Sequence, residues 1–276
     1  MGTAATAPRA GPVYCATFFD RNFGGRRLDG STAFTLDGCP VSSHFFGQSS
    51  FASHANVPVS SIVQVPASAP LALLAPLGCG IQTGAEAVLN SLRPPVGSTI
   101  AIFGAGAVGL SAVPAAKIAA CTTIIAVDRN VGRLDLARAL GATHIVHAGS
   151  EDVVSHLREI TAGGARYALE TTGVPAVFTD MTKSLGVLGR AGIVGATALG
   201  TTADLDIGSL LPVGISLSMI VEGDSVPASF IPRLIGLWES GLFPFDELVT
   251  TYPFDQINTA FKDSADGAAV KPVVVF

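Results

Sequence analysis

Charge is scarce in this chain. Only 13% of its 276 residues are Asp, Glu, Lys or Arg, while 49% are hydrophobic and the mean hydropathy is +0.52. Such a balance excludes a disordered, water-solvated chain. No basic excess exists either: 16 Lys and Arg stand against 21 Asp and Glu, a net charge of −5. A nucleic-acid partner, which needs cations to displace phosphate counterions, is therefore not expected. Cysteine is sparse: Cys15, Cys39, Cys79 and Cys121 lie far apart, and no Cys-x-x-Cys pair offers a zinc or redox motif. A chain of this length builds a core without disulfides, so a reducing, cytoplasmic setting is expected. Long unbroken apolar runs are also missing. The uncharged stretch between Asp37 and Glu86 is interrupted by Pro58, Pro66, Pro70, Pro76, Gly78, Gly80 and Gly84, which argues against a membrane span of roughly 20 residues. Met1–Thr6 lacks the basic-then-apolar pattern of a secretory signal. Gly2 with Thr6 fits only the loose myristoylation pattern.

What is present is a repeating texture. Residues 31–70 alternate and carry turn residues, predicting short antiparallel strands. From Gly80 to Leu92, apolar residues recur at helical spacing, and Pro94 and Pro95 follow. Apolar runs then fall at Thr99–Phe103, Thr123–Val127, His144–His147, Tyr167–Leu169, Gly192–Gly195 and Ile215–Val221. Helical patterns lie between them, at Arg133–Leu140 (after the cap Asn130 and before Gly141), Asp152–Ile160 and Pro175–Leu185. Strands separated by helices of this length predict an α/β fold, a Rossmann doubly wound parallel six-stranded sheet. After Gly241 the pattern becomes irregular, and Pro253–Phe254, Ile257 and Val273–Phe276 read as a return to the first, β-rich portion.

The chemistry is concentrated where the first parallel strand ends. Gly104-Ala105-Gly106-Ala107-Val108-Gly109 follows Thr99–Phe103 and opens a helix. The first glycine permits the tight turn, the second lets a pyrophosphate approach the backbone, and the third lets helix and strand pack closely. The helix N-terminus supplies free N–H groups and a positive dipole end. Asp128 ends the next strand about twenty residues on, where a carboxylate accepts both ribose hydroxyls and disfavours the extra phosphate of NADP; Arg129 stands beside it. NAD is the expected cofactor. Pro114 falls inside the first helix, and a kink is expected there, downstream of the cofactor-facing end.

Five segments carry a family likeness: Asn22–Ser31, Phe45–Phe51, Leu77–Gly84, Glu170–Gly173 and Glu222–Asp224. Together they resemble the zinc-dependent medium-chain alcohol dehydrogenases, most closely the aryl-alcohol (benzyl-alcohol) branch, over about Gly11 to Phe276. The resemblance implies an N-terminally shortened member with a partial GroES-like β-rich catalytic domain at residues 1–90. An NAD-binding Rossmann domain at 91–241 and a return into the catalytic domain at 242–276 would follow. It implies hydride transfer between a primary aryl alcohol and NAD, an alcohol or aldehyde substrate, and a homo-oligomer, dimer or tetramer. Cys79 matches the cysteine of a Gly-Cys-Gly turn that ligates the family's catalytic zinc. Thr83 matches the residue packed near the nicotinamide, and Lys271 a cation on the pyrophosphate. Thr171 joins the cofactor set with Gly104, Gly106, Ala107, Val108, Gly109, Asp128 and Arg129.

The other catalytic-zinc ligands of the family, a Cys and a His-Glu pair, find no counterpart. Of the four structural-zinc cysteines only Cys15 is matched, with Met1, Ala4 and Ala7 at the other three places. A catalytic zinc takes three protein ligands, so Cys79 alone leaves zinc unsecured; a small buried cysteine is the bland reading. His44 and His54 flank Phe45–Phe51 and read as strand or surface residues. His144 and His147 bracket a strand of the nucleotide domain, and His156 lies on a polar helix face. Glu222 and Asp224 read as a turn or subunit contact, and Glu170 as a cofactor contact or a cap for Thr172. Two alternatives stand beside the dehydrogenase: a non-catalytic NAD-binding remnant, and a zinc-free medium-chain reductase of activated double bonds.

Overall fold

A computed structural model describes residues 13–47 and 51–276. The readings placed on Met1, Gly2, Ala4, Thr6 and Ala7, and the Gln48–Ser50 part of the Phe45–Phe51 segment, lie outside those residues. The chain divides into two units, residues 1–66 with Phe276 and residues 67–275.

In the first unit, the short helix Phe18–Asn22 precedes β1 (Phe34–Leu36) and β2 (Cys39–Val41), an antiparallel hairpin. Asp37 and Gly38 join them with φ of 50° and 77°, the two left-handed residues that a tight hairpin turn demands. Of the antiparallel strands expected over residues 31–70, this hairpin is the one formed among the described residues. Val59–Ser61 is a single 3-10 turn.

The second unit is built on six parallel strands: β3 (Thr99–Phe103), β4 (Thr123–Asp128), β5 (His144–His147), β6 (Ala165–Glu170), β7 (Leu185–Ile193) and β8 (Ser216–Met219). Their order is β5-β4-β3-β6-β7-β8, two mononucleotide-binding halves meeting between β3 and β6. Side chains alternate across a strand, and here both faces are covered. Ala101, Phe103, Ile125, Val127, Val146, Leu157, Ala168 and Met181 form a core on one side, while Ile100, Ile102 and Ile124 are equally buried. That two-sided burial explains continuous rather than alternating apolar runs.

Helix ends follow their signals. Asn130 Oδ1 accepts the Arg133 N–H at the start of helix Val131–Leu140, and Gly141 ends it at φ 119°. The Ala107–Ile118 helix continues through the buried Pro114. β7 departs from expectation by starting at Leu185 rather than near Gly192. It follows the Pro175–Ser184 helix without a connector and shifts register between Ala165 and Tyr167 of β6. The glycines at 186 and 189 hide the first part of this strand from an apolar-run reading, which catches only its end at Gly192. β9 (Val249–Pro253) and β10 (Lys271–Val275) pair with each other in parallel.

No single described helix is long and apolar enough to cross a membrane. Leu71–Gly78 and Gly80–Leu92 pass by composition only as a pair bent by 60°, and every residue of Gly80–Glu86 is buried in the unit.

Candidate active site

The β3 turn has the geometry its glycines require. Gly104 adopts φ 95°, and a Cβ at Gly109 would lie 1.8 Å from the Gly104 carbonyl oxygen. Only hydrogen fits there. At Gly106 a Cβ would meet nothing within 4 Å, so the space that a phosphate would use is open. Gly106 caps the Ala107–Ile118 helix, and the first helical bond runs from Leu110 N–H to Gly106 O. The N–H groups of Ala107, Val108 and Gly109 are thus those a helix start leaves for an anion.

Asp128 braces this turn. Its Oδ2 accepts the Ala105 N–H at 2.6 Å and its Oδ1 the Asn130 N–H at 2.8 Å. Two carboxylate oxygens carry about four acceptor positions, so capacity for ribose hydroxyls remains. Arg133 Nε, five residues on, is buried without a partner among the described residues, an orphan donor of the kind a bound group satisfies. Arg129 is exposed, and its carbonyl accepts from His147 Nε2 at 2.9 Å while Nδ1 meets Ser150 Oγ at 2.8 Å. Thr171 Oγ1 donates to Phe103 O at 2.8 Å and lies 3.3 Å from Gly104 O, tying β6 to the turn. Glu170 caps its own loop, its Oε1 accepting from Thr172 N–H, Gly173 N–H and the Thr172 hydroxyl.

Helix Gly80–Glu86 packs across this helix start. A Cβ at Gly84 would fall 1.9 Å from Val108 O, so glycine is needed for the approach. A Cβ at Gly80 would lie 3.6 Å from Val108 Cγ2 and 3.9 Å from Lys271 Nζ. The Lys271 ammonium, at the head of β10, therefore stands near the same helix N-terminus. Cys79 and Thr83 come with this helix. Thr83 Oγ1 lies 3.0 Å from Cys79 O and 3.3 Å from Glu222 Oε2, and Cys79 Sγ is 3.8 Å from Glu222 Oε1.

Cys79 reaches solvent, yet the protein crowding it costs the thiolate hydration and raises its pKa. The Glu222 carboxylate adds to the rise and Lys271 opposes it. Burial likewise pushes the Glu222 carboxyl up, against hydrogen bonds from Thr83, Gln82 and Cys79 and the Lys271 charge.

Glu222 is what the sequence reading left out of the site. The turn after β8 is real, but its carboxylate faces Cys79 and Thr83. The available signal was its position, a carboxylate just past the sixth strand on the edge where such sheets bind ligands. His44 and His54 belong to the first unit, and His54 Nδ1 meets Ser53 Oγ at 3.1 Å. His144 contacts Thr143, and His156 pairs with Glu151.

Comparison with known proteins bears on this geometry. A family model described as zinc-binding dehydrogenase matches residues 107–237. Geraniol dehydrogenase of Castellaniella defragrans is 42% identical over 267 residues, 96% of this chain and 72% of the relative. The chain belongs to the zinc-binding, medium-chain alcohol dehydrogenase family. Two solved structures cover 99% of this chain and 74% of their own, each with TM-score 0.93. One is an alcohol dehydrogenase zinc-binding domain protein from Burkholderia ambifaria, 53% identical; the other is benzyl alcohol dehydrogenase from Acinetobacter calcoaceticus, 44% identical.

Family membership implies NAD and usually zinc. The open Gly106, the free helix start, Lys271 and the orphaned Arg133 Nε fit a dinucleotide. Among the described residues no three His, Cys, Asp or Glu gather to hold a metal ion. Cys79 and Glu222 offer two donors, one short of the usual three, so these residues do not by themselves fit a catalytic zinc.

Proposed function

We propose that this chain is an NAD-linked oxidoreductase converting a primary aryl alcohol to its aldehyde. The reading is carried by one observation: an anion-ready helix start, with its phosphate space open at Gly106, lies beside Cys79, Thr83 and Glu222 within one unit. In this reading the Ala107, Val108 and Gly109 N–H groups and Lys271 bind the pyrophosphate. Asp128 holds the adenosine ribose with Arg129 beside it, and Thr171 keeps the turn in shape. When bound, NAD supplies the hydride acceptor. Thr83 and Cys79 line the edge where the alcohol carbon would meet it, and the Thr83 hydroxyl, close to Glu222 Oε2, fixes the polar side of that space.

The proposal includes the assignment of residues 1–90 and 242–276 to a partial GroES-like catalytic domain and 91–241 to the Rossmann domain. It extends to a homo-oligomer, dimer or tetramer. In its support, β8 is an edge strand with Met219 exposed, and Leu205, Ile207 and Leu211 leave apolar side chains in a neighbouring groove. It also includes a reducing, cytoplasmic setting, in keeping with four free cysteines.

The test is NADH formation, followed by absorbance, from NAD with benzylic alcohols. Turnover that falls at least tenfold on Cys79→Ala supports the reading. NADH consumed with an enone, without alcohol oxidation, would select the double-bond reductase. Tight NAD binding with neither activity would select the remnant.

A further inference from the structure

Three successive residues after β8 have left-handed backbones: Glu222 (φ 49°), Gly223 (71°) and Asp224 (57°). Two of them carry side chains, for which that conformation is strained. The surroundings hold the turn. A Cβ at Gly223 would lie 2.9 Å from both Thr83 O and Glu86 Cβ, so the turn is pressed onto helix Gly80–Glu86. The helix continues as a π-turn over Ala87–Leu92, which presents Ser91 Oγ to Asp224 Oδ2 at 2.7 Å and Asn90 Nδ2 to Asp224 O at 3.4 Å. Ser225 Oγ donates to Gln82 Oε1 at 3.0 Å. Strain maintained by so many contacts is a mark of functional sites, as are π-turns.

What the strained turn delivers is the Glu222 carboxylate. Its partners Thr83 and Cys79 are neutral, and Lys271 is the cation that acts on it. Packing alone does not call for a desolvated charge there. Topology gives it a use. Asp128 ends β4 in one mononucleotide half of the sheet, and Glu222 follows β8 at the far end of the other. A dinucleotide with its adenosine on the Asp128 half and its phosphates at Gly106 extends its nicotinamide over β6, β7 and β8. The oxidised ring carries a positive charge that the reduced ring lacks.

We propose that Glu222 is a positioning residue for the nicotinamide half whose negative charge selects the oxidised cofactor over the reduced one. The proposal rests on the NAD reading above. A partly buried carboxylate on the nicotinamide side of the site acts on the charged, oxidised ring and not on the neutral, reduced one, so its removal should change the ratio of affinities by about tenfold.

The test is a pair of direct binding titrations, NAD+ and NADH, with wild type, Glu222→Gln and Glu222→Asp, checking each fold by circular dichroism and each bound zinc content by metal analysis. In Glu222→Gln, the ratio Kd(NAD+)/Kd(NADH) should rise about tenfold while NADH affinity changes less than twofold. Glu222→Asp, which retains the charge, should restore most of the wild-type ratio and carries the test should the Gln variant not fold. An unchanged ratio, equal weakening of both forms, or lower zinc content in Glu222→Gln would overturn the proposal. Failure of the wild type to bind either form would instead overturn the NAD reading beneath it.

Discussion

The two units use their apolar residues in opposite ways. In the second, strands and helices enclose Phe103, Phe243, Phe245, Leu110 and Leu157 at 1% exposure or less. In the first, no described residue is buried. Its phenylalanines instead cluster in the open: Phe23 makes edge-to-face contacts with Phe45 and Phe46 at 5.7 and 5.2 Å, yet Phe45 remains 63% exposed. Aromatic pairs of this kind contribute about 0.5–1.5 kcal/mol beyond area burial, whereas a buried leucine contributes several-fold more. Hydrophobic composition thus says little about where stability resides; two-sided coverage decides it.

Matched substitutions can break this contrast. The largest effect is expected in the core, where Leu157→Ala should lower unfolding free energy by about 3 kcal/mol and Phe45→Ala by about 1 kcal/mol, both measured by urea titration. Equal losses would remove the distinction between the units. Next comes a pair of glycines. Gly84→Ala forces a carbon against Val108 O and should cost about 2 kcal/mol, with weakened NAD binding because the helix start must shift. Gly30→Ala, at φ 81° with nothing within 4 Å, should cost about 1 kcal/mol and leave NAD binding unchanged.

The smallest effects are in the pH dependence, and they have opposite signs. Burial pushes the Glu86 carboxyl up, helped by Asp224 and opposed by Ser225 and Arg233, and its Oε2 has no partner among the described residues. With the folded pKa above the unfolded one, ionisation of Glu86 removes stability as pH rises through the carboxylate range. Glu86→Gln should therefore be neutral near pH 4 and stabilising by about 1 kcal/mol at pH 7. Asp29, in the first unit, is held below its ordinary value by the Ser31 hydroxyl and N–H. Its contribution is present above that value and lost as pH falls, so Asp29→Asn should destabilise at pH 7 and not in acid. Melting temperatures over pH 3–8 measure both.

The second unit was the legible part of the sequence, for the same reason that it is stable. Buried parallel strands write themselves as apolar runs, and Asn130 and Gly141 mark a helix by their own chemistry. Gly104, Gly106, Gly109, Asp128 and Lys271 were all read from spacing or family likeness, and the structure groups them at or near one helix start. Glu222 escaped because its placement depends on three left-handed residues and on contacts from Thr83, Gln82 and Ser91, more than 130 positions away. The first part of β7 escaped because glycine carries no hydropathy signal and its register shift is set by β6; its end was read in the run Gly192–Gly195. In the first unit, alternation over residues 31–70 promised strands, but pairing needs a covered face, and among the described residues 34–36 and 39–41 are the ones that formed them.

The dinucleotide seat is tested most directly at Gly106, where space exists that the protein itself does not use. NAD titration and thermal melting of Gly106→Ala should show stability within about 1 kcal/mol of wild type but at least tenfold weaker NAD binding. Wild-type affinity in that variant would show that the opening at Gly106 is not where the phosphates lie, and would contradict the account.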